Sequence, residues 1–111
     1  MKDDKRKFKR FDINFKISSN EVEGKGINIS KDGFGFLSDD EIIPADDIPF
    51  TAEVTLSGKN KRKFILKGIG RLLFSIKDLN YNNFYYNGIE FIHLDNESLH
   101  SIIDILKLIE K

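Results

Sequence analysis

The chain has 111 residues and a mass of 12.8 kDa, room for one domain and not two. Apolar residues make up 40% and charged residues 32%, the balance of a folded chain rather than a disordered one. With no cysteine and two histidines, disulfide scaffolds, thiolate zinc sites, iron–sulfur clusters, cysteine nucleophiles and histidine-rich metal sites are excluded. No apolar run reaches the roughly 18 residues that a bilayer crossing takes. No apolar signal region follows Met1-Lys-Asp-Asp-Lys-Arg, so a cytoplasmic protein is expected.

Charge is balanced overall at 18 basic against 18 acidic residues, but not locally. Residues 1–10 hold Lys2, Lys5, Arg6, Lys7, Lys9 and Arg10 against Asp3 and Asp4, a net +4, which leaves −4 on the other 101 residues. This basic segment has little to bury beyond Phe8 and is expected to be a mobile arm, residues 1–10, on a domain spanning 11–111. As a bland reading it is a solvated terminus; as a functional one it meets an anion.

Phe11, Ile13, Phe15 and Ile17 alternate with polar residues, which predicts a half-buried strand. Val22 to Ile29 is a second strand, with Gly24 and Gly26 marking a bulge or close approach. Lys31-Asp32-Gly33 is a turn, and Phe34, Phe36 and Leu37 begin a short third strand. Asp39 to Asp47, bracketed by Pro44 and Pro49, reads as an exposed acidic loop. Phe50, Ala52, Val54 and Leu56 alternate as a fourth strand. Ser57-Gly58-Lys59-Asn60 is a hairpin turn into a long fifth strand, Phe64 to Ile76, bent near Gly68 and Gly70. A polar turn, Asp78 to Asn83, leads to a last strand, Phe84 to Ile92.

The period then changes. Leu99, Ile102, Ile103, Leu106 and Ile109 recur every three or four residues, which predicts an amphipathic helix. Ile105 and Leu108 beside that stripe suggest a wide buried face. Asp95 is a good N-cap, and Leu94 and Leu99 fall at hydrophobic-staple positions. Lys107 and Lys111 suit the negative end of the helix dipole. About six antiparallel strands and one C-terminal helix imply an all-β class: a small closed barrel with the helix packed on it.

Most motif searches return nothing. There is no phosphate-binding P-loop, no dinucleotide fingerprint and no nucleophile elbow. His93, after the last strand, and His100, on the helix, read as surface or cap residues, and Glu90 as a solvent-facing strand residue. The acidic loop lacks calcium-loop spacing. No constellation supports an enzyme.

Two stretches stand apart. Arg6-Lys7-Phe8-Lys9-Arg10 puts two arginines four apart just before a strand. Asn28-Ile29-Ser30-Lys31-Asp32-Gly33 puts Asn28 and Ser30 on one side of an extended segment that ends in a glycine turn. The guanidinium fork suits phosphate oxygens and the O6/N7 edge of guanine. Asn28 and Ser30 can hydrogen-bond a base edge or phosphate. Gly33 tolerates positive φ and leaves room for a flat ligand. A planar, guanine-bearing, phosphate-rich ligand would satisfy both stretches.

This pairing resembles the PilZ domain, a bacterial receptor for cyclic di-GMP. The family carries Arg-x-x-x-Arg before its first strand, here Arg6 and Arg10, and Asp/Asn-x-Ser-x-x-Gly after its second, here Asn28, Ser30 and Gly33. Asn87-Gly88-Ile89-Glu90-Phe91 looks like the run near the family's last strand. The resemblance implies a six-stranded antiparallel PilZ-type β-barrel with a C-terminal helix, binding cyclic di-GMP on its outer surface through Arg6, Arg10, Asn28, Ser30 and Gly33. One ligand or a stacked pair is equally consistent with it. No other cofactor is expected. The implied partners are cyclic di-GMP and an unidentified protein that reads the ordered arm. Two other readings stay open: a degenerate interaction module that binds no nucleotide, and a small barrel for single-stranded nucleic acid. The short basic stretch and acidic body weigh against the latter.

Overall fold

A computed structural model of the chain describes residues 9–19, 22–56, 61–81 and 83–109. Among these described residues six strands are formed: β1 Phe11–Ser19, β2 Val22–Ile29, β3 Gly33–Ser38, β4 Ala45–Leu56, β5 Arg62–Asp78 and β6 Phe84–Leu94. A 3-10 turn, Leu79–Tyr81, precedes β6, and helix α1, Asn96–Ile109, follows it. Every pairing is antiparallel, and the order β1-β2-β3-β6-β5-β4 closes through β1 and β4 into a barrel. Closure removes both sheet edges. The fold class expected from the sequence is the one formed. The proposed arm lies outside the described residues except for Lys9 and Arg10, and so does the hairpin turn at 57–60.

Period-two alternation fills the barrel. Phe15, Ile17, Ile29, Ala52, Val54, Phe64 and Leu66 point inward and are buried. Phe34 lies at the centre, edge-on to Phe15 at 5.6 Å and to Phe50 at 5.2 Å, with Phe36 and Phe91 tilted against it. Such ring pairs add about 0.5–1.5 kcal/mol each beyond area burial. Helix α1 packs on β5 and β6 and adds Ile102, Ile105 and Leu106 to this core.

Four local expectations need correction. The acidic loop is shorter than Asp39 to Asp47, because β4 starts at Ala45 and carries Pro49 inside it. Proline is tolerated there: Pro49 pairs with Ile69 of β5, whereas β1 pairs with β4 only at 51–53, so no β1 neighbour needs the missing N–H. Asp47, at φ 56°, absorbs the register shift between Ala45 and Ile48. Secondly, β6 continues to Leu94 and takes His93 into the strand.

Thirdly, the buried helix face is rotated from the predicted stripe. Ser98, Ile102, Ile105 and Leu106 are buried, Ile105 completely, whereas Leu99 and Ile103 stay 46% and 44% exposed. Ser98 decides the rotation, because its hydroxyl accepts the Lys67 backbone N–H at 2.8 Å. Fourthly, the staple is incomplete: Leu94 is buried and Leu99 is not.

Asp95 caps the helix as expected, accepting the Ser98 N–H at 2.8 Å through its carboxylate and the Leu99 N–H at 3.0 Å through its carbonyl. Side-chain and backbone hydrogen bonds from Ser98 hold the Asp95 carboxyl below its ordinary 3.8. A lowered folded-state pKa stabilises the fold above the ordinary value, and that contribution is lost as pH falls through the lowered one. Asp95→Ala is therefore expected to melt at a lower temperature than the wild type at neutral pH. In acid, where the carboxyl is protonated, the difference should shrink. Paired thermal melts across that range check it.

Candidate ligand-binding site

Arg10 enters β1 just ahead of the Phe11–Ile29 and Asp12–Asn28 pairs, so the β1–β2 register brings it to the end of β2. Its Nη1 donates to Asn28 Oδ1 at 2.8 Å. Asn28 Nδ2 in turn donates to the Tyr86 hydroxyl of β6 at 3.1 Å. Arg10 Nε is buried and has no hydrogen-bond partner among the described residues. A charged donor without an acceptor is costly, so a ligand oxygen supplied there would be strongly held.

Two glycines explain how four strands converge. Asn28, Gly35, Gly88 and Phe74 lie in register across β2, β3, β6 and β5. A Cβ on Gly35 would come within 2.6 Å of the Tyr86 hydroxyl and 2.8 Å of Asn28 Oδ1. A side chain at Gly35 would therefore break the Asn28–Tyr86 contact. The Phe74 ring covers Gly88 and packs at 5.5 Å on the Tyr86 ring, tilted 50°.

Ser30 and Gly33 build the turn beside this cluster. Ser30 is fully buried. Its N–H donates to the Gly33 carbonyl at 2.9 Å, its hydroxyl donates to the Asp32 carboxylate, and that hydroxyl accepts the Asp32 N–H at 3.2 Å. The Asp32 carbonyl accepts the Phe91 N–H at 2.8 Å, which ties the turn to β6. Gly33 is not at positive φ, and the space beside it is not open. A Cβ there would fall 2.0 Å from the Ile89 carbonyl oxygen, so glycine is required by the approach of β6. This replaces the room-for-ligand reading of Gly33.

The structure thus joins Arg10 with Asn28 and places Ser30 and Gly33 in the supporting turn, while Arg6 lies outside the described residues. Tyr86, Gly35 and Phe74 were not singled out in the sequence. The available signal was a pair of glycines two apart at the start of β3, Gly33 and Gly35, and an aromatic two residues before Gly88. Nearby acid is partly neutralised: Arg71 bonds Asp46 at 2.8 Å and reaches Glu90, the Gly33 pair residue, at 3.4 Å. Among the described residues no cluster of His, Cys, Asp or Glu could hold a metal ion, and no helix is long and apolar enough to cross a membrane.

No family model matches the sequence, and no curated protein does. Solved structures do match in fold. The Bacillus subtilis inhibitor of motility MotI/DgrA superposes with a TM-score of 0.68 at 13% identity, over 97% of this chain and 53% of that one. Escherichia coli YcgR in complex with cyclic di-GMP gives 0.62 at 13% identity, over 96% and 46%. The isolated PilZ domain of YcgR with cyclic di-GMP gives 0.55 at 13% identity, over 96% and 92%. The barrel and helix are therefore those of the PilZ fold. The chain spans about half the length of MotI/DgrA and of the longer YcgR chain.

Proposed function

We propose that this chain is a receptor for cyclic di-GMP, not an enzyme, holding the ligand on the outer barrel surface at the junction of its basic N-terminal segment and the Asn28 turn. The observation that carries the reading is the Arg10–Asn28 hydrogen bond, because it unites two motifs 18 residues apart at one place. Two neighbours of the same fold are complexes with this dinucleotide.

Roles follow from donor chemistry. Arg10, and Arg6 by the same motif, offer planar forks to phosphate oxygens and to the guanine O6/N7 edge. Asn28 Oδ1 offers an acceptor to the guanine N1–H and amino group. Ser30 and Gly33 hold the turn on which Asn28 stands. Ligand binding closes residues 1–10 over the barrel, and the altered surface is what an unidentified protein partner reads. Exposed Leu99 and Ile103 on α1 give such a partner an apolar place to dock, and the same pair would serve a nucleotide-free interaction module.

Calorimetric titration of the full chain with cyclic di-GMP tests the reading. Saturable heat is expected, and its molar ratio distinguishes one ligand from a stacked pair; a flat titration overturns it. Ser30→Ala is expected to weaken binding by only about five-fold, the scale of one neutral hydrogen bond of roughly 1 kcal/mol. Its hydroxyl is spent inside the turn, so the effect reaches the ligand through Asn28. The same titration measures it.

A further inference from the structure

We infer that Tyr86 is a positioning residue for guanine selectivity: its hydroxyl holds the Asn28 amide at the setting in which Arg10 selects Oδ1, not the amino group, to meet the ligand. This rests on the cyclic di-GMP reading above. Arginine has donors and no acceptor, so the Asn28 atom facing Arg10 Nη1 at 2.8 Å is the carbonyl oxygen. The other end, Nδ2, is then anchored on Tyr86 Oη at 3.1 Å. The Tyr86 hydroxyl can donate as well as accept, so Arg10 sets which end of the amide is the oxygen and Tyr86 keeps the amide in that place.

The anchor is itself held. Gly35 leaves the passage through which the Tyr86 hydroxyl crosses β3, since a Cβ there would lie 2.6 Å from it. Phe74 supports the ring from the far side at 5.5 Å. An aromatic ring lying beside strand glycines can also be simple cover for them. That role belongs to the ring alone, whereas selectivity belongs to the hydroxyl, and Tyr86→Phe separates the two.

The chemistry is directional. The guanine Watson–Crick edge presents N1–H and an amino group, both donors, so it needs the amide oxygen. A flipped amide would set donor against donor. Hypoxanthine keeps N1–H but lacks the amino group, so cyclic di-IMP reports that one contact.

The test titrates wild type, Tyr86→Phe, Asn28→Asp and the double variant with cyclic di-GMP and cyclic di-IMP, alongside thermal melts. Tyr86→Phe is expected to melt like the wild type and to lower the preference for cyclic di-GMP about three- to ten-fold, the worth of one neutral hydrogen bond. In the Asn28→Asp background the carboxylate presents oxygen whichever way it turns, so adding Tyr86→Phe should leave the preference unchanged. An unaltered preference in Tyr86→Phe, or equal loss for both ligands, overturns the inference while the receptor reading stands. A wild type that binds neither ligand overturns both.

Discussion

Arg10→Ala is expected to weaken cyclic di-GMP binding about ten- to a hundred-fold, because a hydrogen bond to a charged group is worth about 1.5–3 kcal/mol. The melting temperature should stay close to that of the wild type. The two halves of this expectation have different origins. Among the described residues Arg10 makes one side-chain hydrogen bond, to Asn28, and it lies outside the core. Removing it leaves the Asn28 amide still tied to Tyr86. Towards a ligand it offers the remainder of its fork and a buried Nε that has no acceptor among the described residues. Arg6→Ala is expected to cost a similar amount, since the motif makes the two arginines partners. Calorimetry on both variants, with melts as the folding control, decides the matter. Unchanged affinity would remove the arginines from the site.

The barrel was legible in the sequence because alternation is a local signal. Phe15 and Ile17, Ala52 and Val54, Phe64 and Leu66 each announce an inward face without knowledge of any other strand. The helix was legible in existence and cap but not in rotation. Leu99–Ile103 and Ile102–Ile105–Leu106–Ile109 are both acceptable apolar stripes, and a hydrogen bond from the Lys67 backbone to Ser98 chooses between them. Pro49 looked like a loop boundary because the local rule cannot see that β1 fails to reach it.

For the site, Arg10 and Asn28 could be named because arginine and amide chemistry is explicit in the residue type. Tyr86 could not, as its bond to Asn28 spans 58 residues and exists only through the β2–β3–β6 register. Gly33 was visible as a glycine, yet its reason was hidden. Turn chemistry suggests φ freedom, whereas the actual demand comes from the Ile89 carbonyl on a strand more than fifty residues away.

That distinction makes Gly33→Ala the sharpest complement to Arg10→Ala. The new methyl carbon would have to sit 2.0 Å from a backbone oxygen, and the nearest atoms, Ile89 O and C and Glu90 Cα, all belong to the β6 main chain. No rotamer change relieves this; β3 and β6 must separate. The same strands carry Phe34 and Ile89, which are buried in the core, and the Asp32–Phe91 hydrogen bond that anchors the turn. Overpacking costs about 1–3 kcal/mol, and a clash with backbone belongs at the upper end. The small entropic gain of alanine over glycine in a strand, about 0.5–1 kcal/mol, offsets part of it. A net loss of about 2 kcal/mol lowers the melting temperature by roughly 10 °C in a domain of this size. The loss should be present without ligand, and affinity should fall as a consequence of the displaced turn. A variant that melts like the wild type but fails to bind would reverse the assignment and return Gly33 to direct ligand contact. Ligand-free thermal melts read beside calorimetry distinguish the two.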